Sequence, residues 1–128
     1  MKQAKSGVLG IRTKSIYSPP DPSDGIRILT TQYWPRGIPK TAVDEYVRRL
    51  GPSRDLLHAF KSGEIDWPTY ESGYLEEMRA EAPKQEIQRL AGIALEQRIT
   101  ILCVCKDEAF CHRRLLRDLI EKEACEPR

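Results

Sequence analysis

Apolar residues recur with two different spacings along this chain, and the change of spacing divides it into strands and helices. Residues 8–16, VLGIRTKSI, contain an alternating apolar pattern, the period of a half-buried strand. The pattern stops at SPPDPSDG (18–25), where three prolines, two aspartates and a glycine crowd into eight residues and predict a loop. IRILTTQYW (26–34) follows as a second strand, with Ile26, Ile28 and Thr30 on one face. It stops at Pro35, and WPRGIP reads as a rigid loop.

From Thr41 onward the spacing lengthens to that of helices. Thr41 is placed to cap AVDEYVRRL, which Gly51 closes, and Ser53 to cap RDLLHAF. Asp66 caps a longer helix whose Trp67, Tyr70, Tyr74 and Met78 form one apolar stripe. Pro83 breaks or restarts it, and Ile87, Leu90, Ala91, Ala94 and Leu95 carry a second stripe. ITILCVC (99–105) is the clearest strand: short, continuous and β-branched, as a strand buried on both faces must be. The last helix takes Leu115, Leu116, Leu119 and Ile120 as its buried side. A strand, a helical excursion and another buried strand predict a right-handed parallel crossover. The expected fold class is α/β: a small single-domain sandwich with a short, mostly parallel, Rossmann-like sheet flanked by helices. At 128 residues the chain holds one core and not two, so 1–128 reads as one domain, with 1–7 and 122–128 as frayed ends.

Composition narrows the class without changing it. The chain is 40% hydrophobic and 31% charged, which suits a folded globular domain. A net charge of +2 gives no general electrostatic case for nucleic acid or an anionic membrane and leaves room only for a local patch. No apolar run approaches the roughly 20 residues that cross a bilayer. The N-terminus lacks the apolar centre of a signal peptide, so the expected compartment is the cytoplasm, with no membrane partner. Thiols there stay reduced, and four cysteines then read as free, catalytic or metal-bound rather than as a disulfide framework.

Three of those cysteines and one of the two histidines fall within CVCKDEAFCHRRLL (103–116). In open α/β sheets, ligands bind at the carboxyl ends of strands. Cys105 closes the third strand at that end and Trp34 closes the second. If the two strands are parallel neighbours, Cys105, Cys111, His112, Arg113, Trp34 and Arg36 line one pocket. Cys111 lies near the N-terminus of the last helix, where unpaired N–H groups and the helix dipole favour a thiolate. Cys111 is therefore the expected nucleophile, with His112 tuning it or acting as acid and base. Arg36 and Arg113 supply forked donors to an anion, Trp34 walls the pocket or stacks on a ring, and Cys105 stands within disulfide reach of Cys111.

Blander readings compete at each position. Cys103 reads as core, Cys111 as a small packed residue, and His112 as a local hydrogen-bonding group. Arg114 and Arg117 read as a solvated helix face, His58 as structural or exposed, and Cys125 as uninformative. For zinc, the spacing of Cys105, Cys111 and His112 matches neither paired C-x-x-C knuckles nor an H-x-x-x-H pair. Cys103, two residues back along a strand, is expected to carry its sulfur away from a shared centre. No metal is expected, and no dinucleotide, P-loop or nucleophile-elbow motif implies a cofactor.

IRTKSIYSPPDPSDGIRILTTQYWPRGIPK resembles the opening of the YeaO-like family, small bacterial proteins grouped as a domain of unknown function. Its marks here are Ile16-Tyr17 after a basic strand, the PPDPSDG loop and Trp34-Pro35-Arg36-Gly37-Ile38. LCVCKDEAFCHRRLL resembles the second mark of the wider family, a cysteine-ended strand followed by Cys-His-Arg at a helix start. Together these cover about half the chain. The resemblance implies a compact α/β domain and no settled reaction. Members usually have Asp-Arg two and three residues before the tryptophan, where this chain has Thr31 and Gln32 with Tyr33 intervening. Cys111, His112 and Arg113 match the second mark.

The leading expectation is a protein, enzyme or sensor, that binds an anionic small ligand such as a nucleotide or phosphorylated metabolite at the strand-end pocket, with cysteine chemistry. One alternative is a non-enzymatic module for nucleic acid or a partner protein, cued by Arg12, Lys14, Arg27, Tyr33, Trp34 and Arg36. The other is a thiol redox protein working through Cys105 and Cys111.

Overall fold

The computed structural model describes residues 11–105 and 111–125. Among them the sheet has four strands: β1 (Arg12–Ser15), β2 (Ile26–Leu29), β3 (Glu45–Tyr46) and β4 (Ile99–Cys103). Their order is β1-β4-β2-β3 and every pairing is parallel. Four α-helices accompany them among the described residues: α1 (Arg54–Lys61), α2 (Trp67–Glu77), α3 (Glu81–Ala94) and α4 (His112–Cys125). The α/β class and the parallel sheet expected from the sequence are what the structure has. No helix among the described residues is long and apolar enough to cross a membrane.

β4 lies at the centre of the sheet, which is why all five of its residues are buried and why it reads as continuously apolar. Alternate side chains serve opposite faces. Ile28, Ile99 and Ile101 pack with Tyr74, Leu90, Ala94, Leu116 and Ile120 beneath the helices. Leu29 and Leu102 meet Ile16 on the other face, covered by Trp34, Ile38, Val43 and Tyr46. The caps are those the sequence predicts: Ser53 Oγ accepts from Leu56 N, and Asp66 accepts from Thr69 N. Helix α3 restarts at Glu81, placing Pro83 in its first turn, where the missing N–H costs nothing.

The segment after Thr41 differs from expectation. No α-helix forms over 42–50. Lys40–Ala42 is a 3-10 turn, Glu45–Tyr46 is edge strand β3, and Arg48–Leu50 is a second 3-10 turn. Pairing with β2 outweighs the helical spacing. Asp44 N donates to Arg27 O at 2.8 Å, Val47 N donates to Leu29 O at 2.8 Å, and Asp44 Oδ2 accepts from Arg27 N at 2.8 Å. β2 is also shorter than its apolar pattern. Its ladder makes one further bond, Thr30 N to Leu102 O, before the chain turns away, so Trp34 stands in the following loop rather than at the strand end. At the ends, α4 runs to Cys125, so 122–125 are helical. Residues 1–7 and 126–128 lie outside the described residues.

The proline-rich loop before β2 is held by one carboxylate. Asp24 is fully buried and bonds Arg12 at 3.1 Å, Lys14 at 3.0 Å and Arg27 at 2.6 Å. Burial alone pushes its carboxyl up, but hydrogen bonds from Lys14, the Asp21 backbone and Arg27 outweigh this and hold it at about 2. The basic positions of β1 and β2 thus serve this loop.

Candidate functional site

β2 and β4 are parallel neighbours, so the loops leaving their carboxyl ends rise on one edge of the sheet. Between them lies a cavity of about 300 Å³. Trp34, Arg36, Cys105 and His112, four of the six site residues expected from the sequence, line it. Tyr17, Gln32, Tyr33, Lys61, Tyr70 and Cys103 are further lining residues. No carboxylate stands among the described lining residues.

The tryptophan loop is fixed by its own hydrogen bonds. Trp34 Nε1 donates to Ile38 O at 2.8 Å, and the indole meets Tyr46 edge-on with ring centres 5.3 Å apart. Gly37 takes φ 80°, the left-handed turn that lets the loop double back. Tyr17 OH donates to Arg36 O at 3.1 Å, and Tyr46 OH donates to Gln32 O at 3.2 Å. Arg54 Nε of α1 donates to Tyr33 OH at 2.9 Å. Tyr17 and Tyr33 remain about half exposed beside the cavity.

The cavity floor is a cluster of sulfur and nitrogen. Cys103 Sγ and Cys111 Sγ are 2.7 Å apart, and both residues are buried. His112 Nδ1 is 3.8 Å from Cys111 Sγ. The ligand atoms of Cys103, Cys111 and His112 all lie within 4.8 Å of one another. His112 Nε2 is 2.7 Å from the carbonyl oxygen of Thr30. A carbonyl only accepts, so Nε2 carries the proton, and in the neutral ring Nδ1 offers its lone pair to the sulfurs. Burial keeps that ring neutral by pulling its pKa down, against the opposing pull of the Thr30 carbonyl.

Hydrogen bonding within the three-thiol cluster favours the thiolate at Cys105 over the other two. Hydrogen bonds from Cys103 and Cys111, aided by Arg113, draw the Cys105 thiol down to about 2. Giving those bonds pushes Cys103 up to about 11 and Cys111 up as well. Hydrogen bonding and burial push the Cys111 thiol up, against the acidity expected there from the helix end, and favour its more exposed neighbour Cys105. Cys111 immediately precedes α4 but is packed against Cys103 rather than open to the cavity. Arg113 also turns inward. It is 3% exposed, is absent from the cavity wall, and donates through Nη1 to Cys105 O at 2.5 Å and Cys103 Sγ at 3.0 Å.

One further placement differs from the sequence reading. Cys103 is buried as expected, but its sulfur faces the cluster instead of leaving it. The reason is the strand period: Cys103 ends β4 on the face of Ile99 and Ile101, the face on which Leu116 and Ile120 of α4 pack. Lys61 carries no signal in the sequence, because a lysine in the last turn of a short helix has the pattern of a solvated charge; only the packing of α1 beside the tryptophan loop brings it to the cavity. Tyr70 was read as core, and it is both buried and a cavity wall.

Comparison with known proteins places the chain in context. Residues 11–124 match the family model DUF488-N3a, described as the active DUF488-N3 subclade. The uncharacterised protein YeaO of Escherichia coli K12 is 39% identical over 112 residues, covering 86% of this chain and 96% of that protein. Uncharacterised proteins of Mycobacterium tuberculosis and Mycobacterium bovis are 27% identical over 112 residues, covering 86% of this chain and 92% of each. No solved structure matches the chain.

Proposed function

The chain belongs to the DUF488-N3a family, and from that premise we propose that its strand-end cavity binds an anionic small molecule carrying a ring, a nucleotide or phosphorylated metabolite, and presents a thiol to it. One observation carries the reading. A cavity of about 300 Å³ has Arg36 and Lys61 as its cations, Cys103, Cys105 and His112 at its floor, and no carboxylate among its described lining residues. Two cations against the one thiolate favoured at Cys105 leave such a site attractive to negative charge.

The roles follow from placement. Arg36 and Lys61 receive the anion, Arg36 with a fork of donors and Lys61 as a point charge. Tyr17, Tyr33 and Trp34 flank the ring. Cys105 is the thiol that a ligand meets, because Cys111 sits behind Cys103. Cys111 donates to Cys105, and neutral His112 holds a proton acceptor at Nδ1 beside the sulfurs. Arg113 fixes the backbone of Cys105 rather than the ligand.

The test is calorimetric titration of the reduced, chelator-treated chain with AMP, ATP and ribose 5-phosphate. Binding of at least one, weakened tenfold or more by Arg36→Ala with Lys61→Ala and by raised salt, is the expected result. No heat with any of the three at millimolar concentration would remove the reading.

A further inference from the structure

We propose that Cys103, Cys111 and His112 form a binding site for a thiophilic metal ion, Zn²⁺ by its chemistry. Two thiols and an imidazole are a donor set that zinc takes in open, three-ligand sites. Local features of the strand and of the helix start bring the three ligand atoms together. The strand period aims Cys103 at the start of α4, the position before α4 places Cys111 against it, and α4 itself begins with His112. All three residues are buried, so the donors are held in place by packing rather than by mobile surface chains.

The imidazole is prepared for a metal. Nε2–H is committed to the Thr30 carbonyl at 2.7 Å, which leaves Nδ1 as the free lone pair on the sulfur side. A ligating histidine commonly has its second nitrogen tied to a carbonyl in this way, which sets both tautomer and ring orientation. Arg113 Nη1 donates to Cys103 Sγ at 3.0 Å, which helps to fix that sulfur beside the other two donors. An entry path exists, because Cys103 and His112 both line the cavity, where Cys105 also stands. Cys105 or a molecule from solvent would complete the coordination. Zn–S bonds of about 2.3 Å put two ligating sulfurs about 3.7 Å apart, so the pair at 2.7 Å opens by about one ångström on binding. Each cysteine proton is released as the ion binds.

The site shares Cys103 and His112 with the cavity of the anion reading, but it is tested without any anion. The reduced, chelator-treated chain is titrated with Co²⁺ and then Zn²⁺. The expected result is one equivalent of Co²⁺ with sulfur-to-cobalt charge-transfer absorption and tetrahedral d–d bands, displaced by one equivalent of Zn²⁺. Cys111→Ser and His112→Asn should each weaken uptake tenfold or more, while Cys125→Ser should not. Should either buried variant fail to fold, the wild-type chain still decides: zinc must move the ¹⁵Nδ1 resonance of His112 and protect Cys103 and Cys111 from alkylation. No charge-transfer band, a His112 resonance unmoved by zinc, or full uptake by a folded Cys111→Ser chain overturns the site.

Discussion

His112 Nε2 lies 2.7 Å from the carbonyl oxygen of Thr30, so the first residue of α4 is tied to the residue that follows β2. The two positions are 82 residues apart in sequence. That bond holds the tryptophan loop and the cysteine cluster on a common edge. His112→Phe keeps the packing volume beside Tyr74, whose ring centre is 5.4 Å away, but leaves the Thr30 carbonyl without this donor. Unfolding in urea should show a loss of about 1–3 kcal/mol.

Burial sorts the four cysteines. Cys125 is exposed, Cys105 is partly exposed at the cavity, and Cys103 and Cys111 are buried. A thiol reagent counted against the native, reduced chain should modify two thiols quickly and the other two only on unfolding. Peptide mapping should find the fast pair at Cys105 and Cys125. Rapid native labelling of Cys111 would contradict the placement of its sulfur behind Cys103.

Asp24 links the proline-rich loop to pH. Its carboxyl is held at about 2 against an ordinary value of 3.8. A carboxylate lowered in the folded state stabilises the fold fully above its unfolded value, and that contribution fades as pH falls from 3.8 through about 2. Asp24→Asn should remove this part of the acid limb in a pH series of thermal unfolding. It should also destabilise the chain by about 3 kcal/mol or more at neutral pH, because Arg12, Lys14 and Arg27 lose their shared anion.

Gly25 admits no side chain. It takes φ 67°, and a Cβ there would fall 2.1 Å from Arg98 O, a backbone atom that cannot step aside. Gly25→Ala should lower stability by at least about 2 kcal/mol in denaturant unfolding, from both the left-handed backbone and the clash.

Tyr74 belongs to the core and carries one polar bond there, from its hydroxyl to Leu50 O at 2.7 Å. Tyr74→Phe should cost about 1 kcal/mol, with the fold and the cavity unchanged by circular dichroism and ligand titration.

What the residues alone determined were the features with local physical causes. The helix caps at Ser53 and Asp66, the restart of a helix near Pro83 and the buried strand expected over 99–105, which ends at Cys103 in the structure, follow from hydrogen-bonding side chains, a missing N–H and a continuous apolar run. The meeting of the tryptophan loop with the cysteine segment was legible too, since parallel neighbouring strands send both loops to one edge. Tertiary structure decided the rest. Edge pairing with β2 overrode the helical spacing after Thr41, because backbone bonds to Arg27 and Leu29 were available only in the folded sheet. Tertiary structure also decided which thiol faces the cavity, which arginine turns inward and which lysine reaches the cavity. Those are questions of a few ångströms between residues far apart in sequence, and spacing along a chain does not encode them.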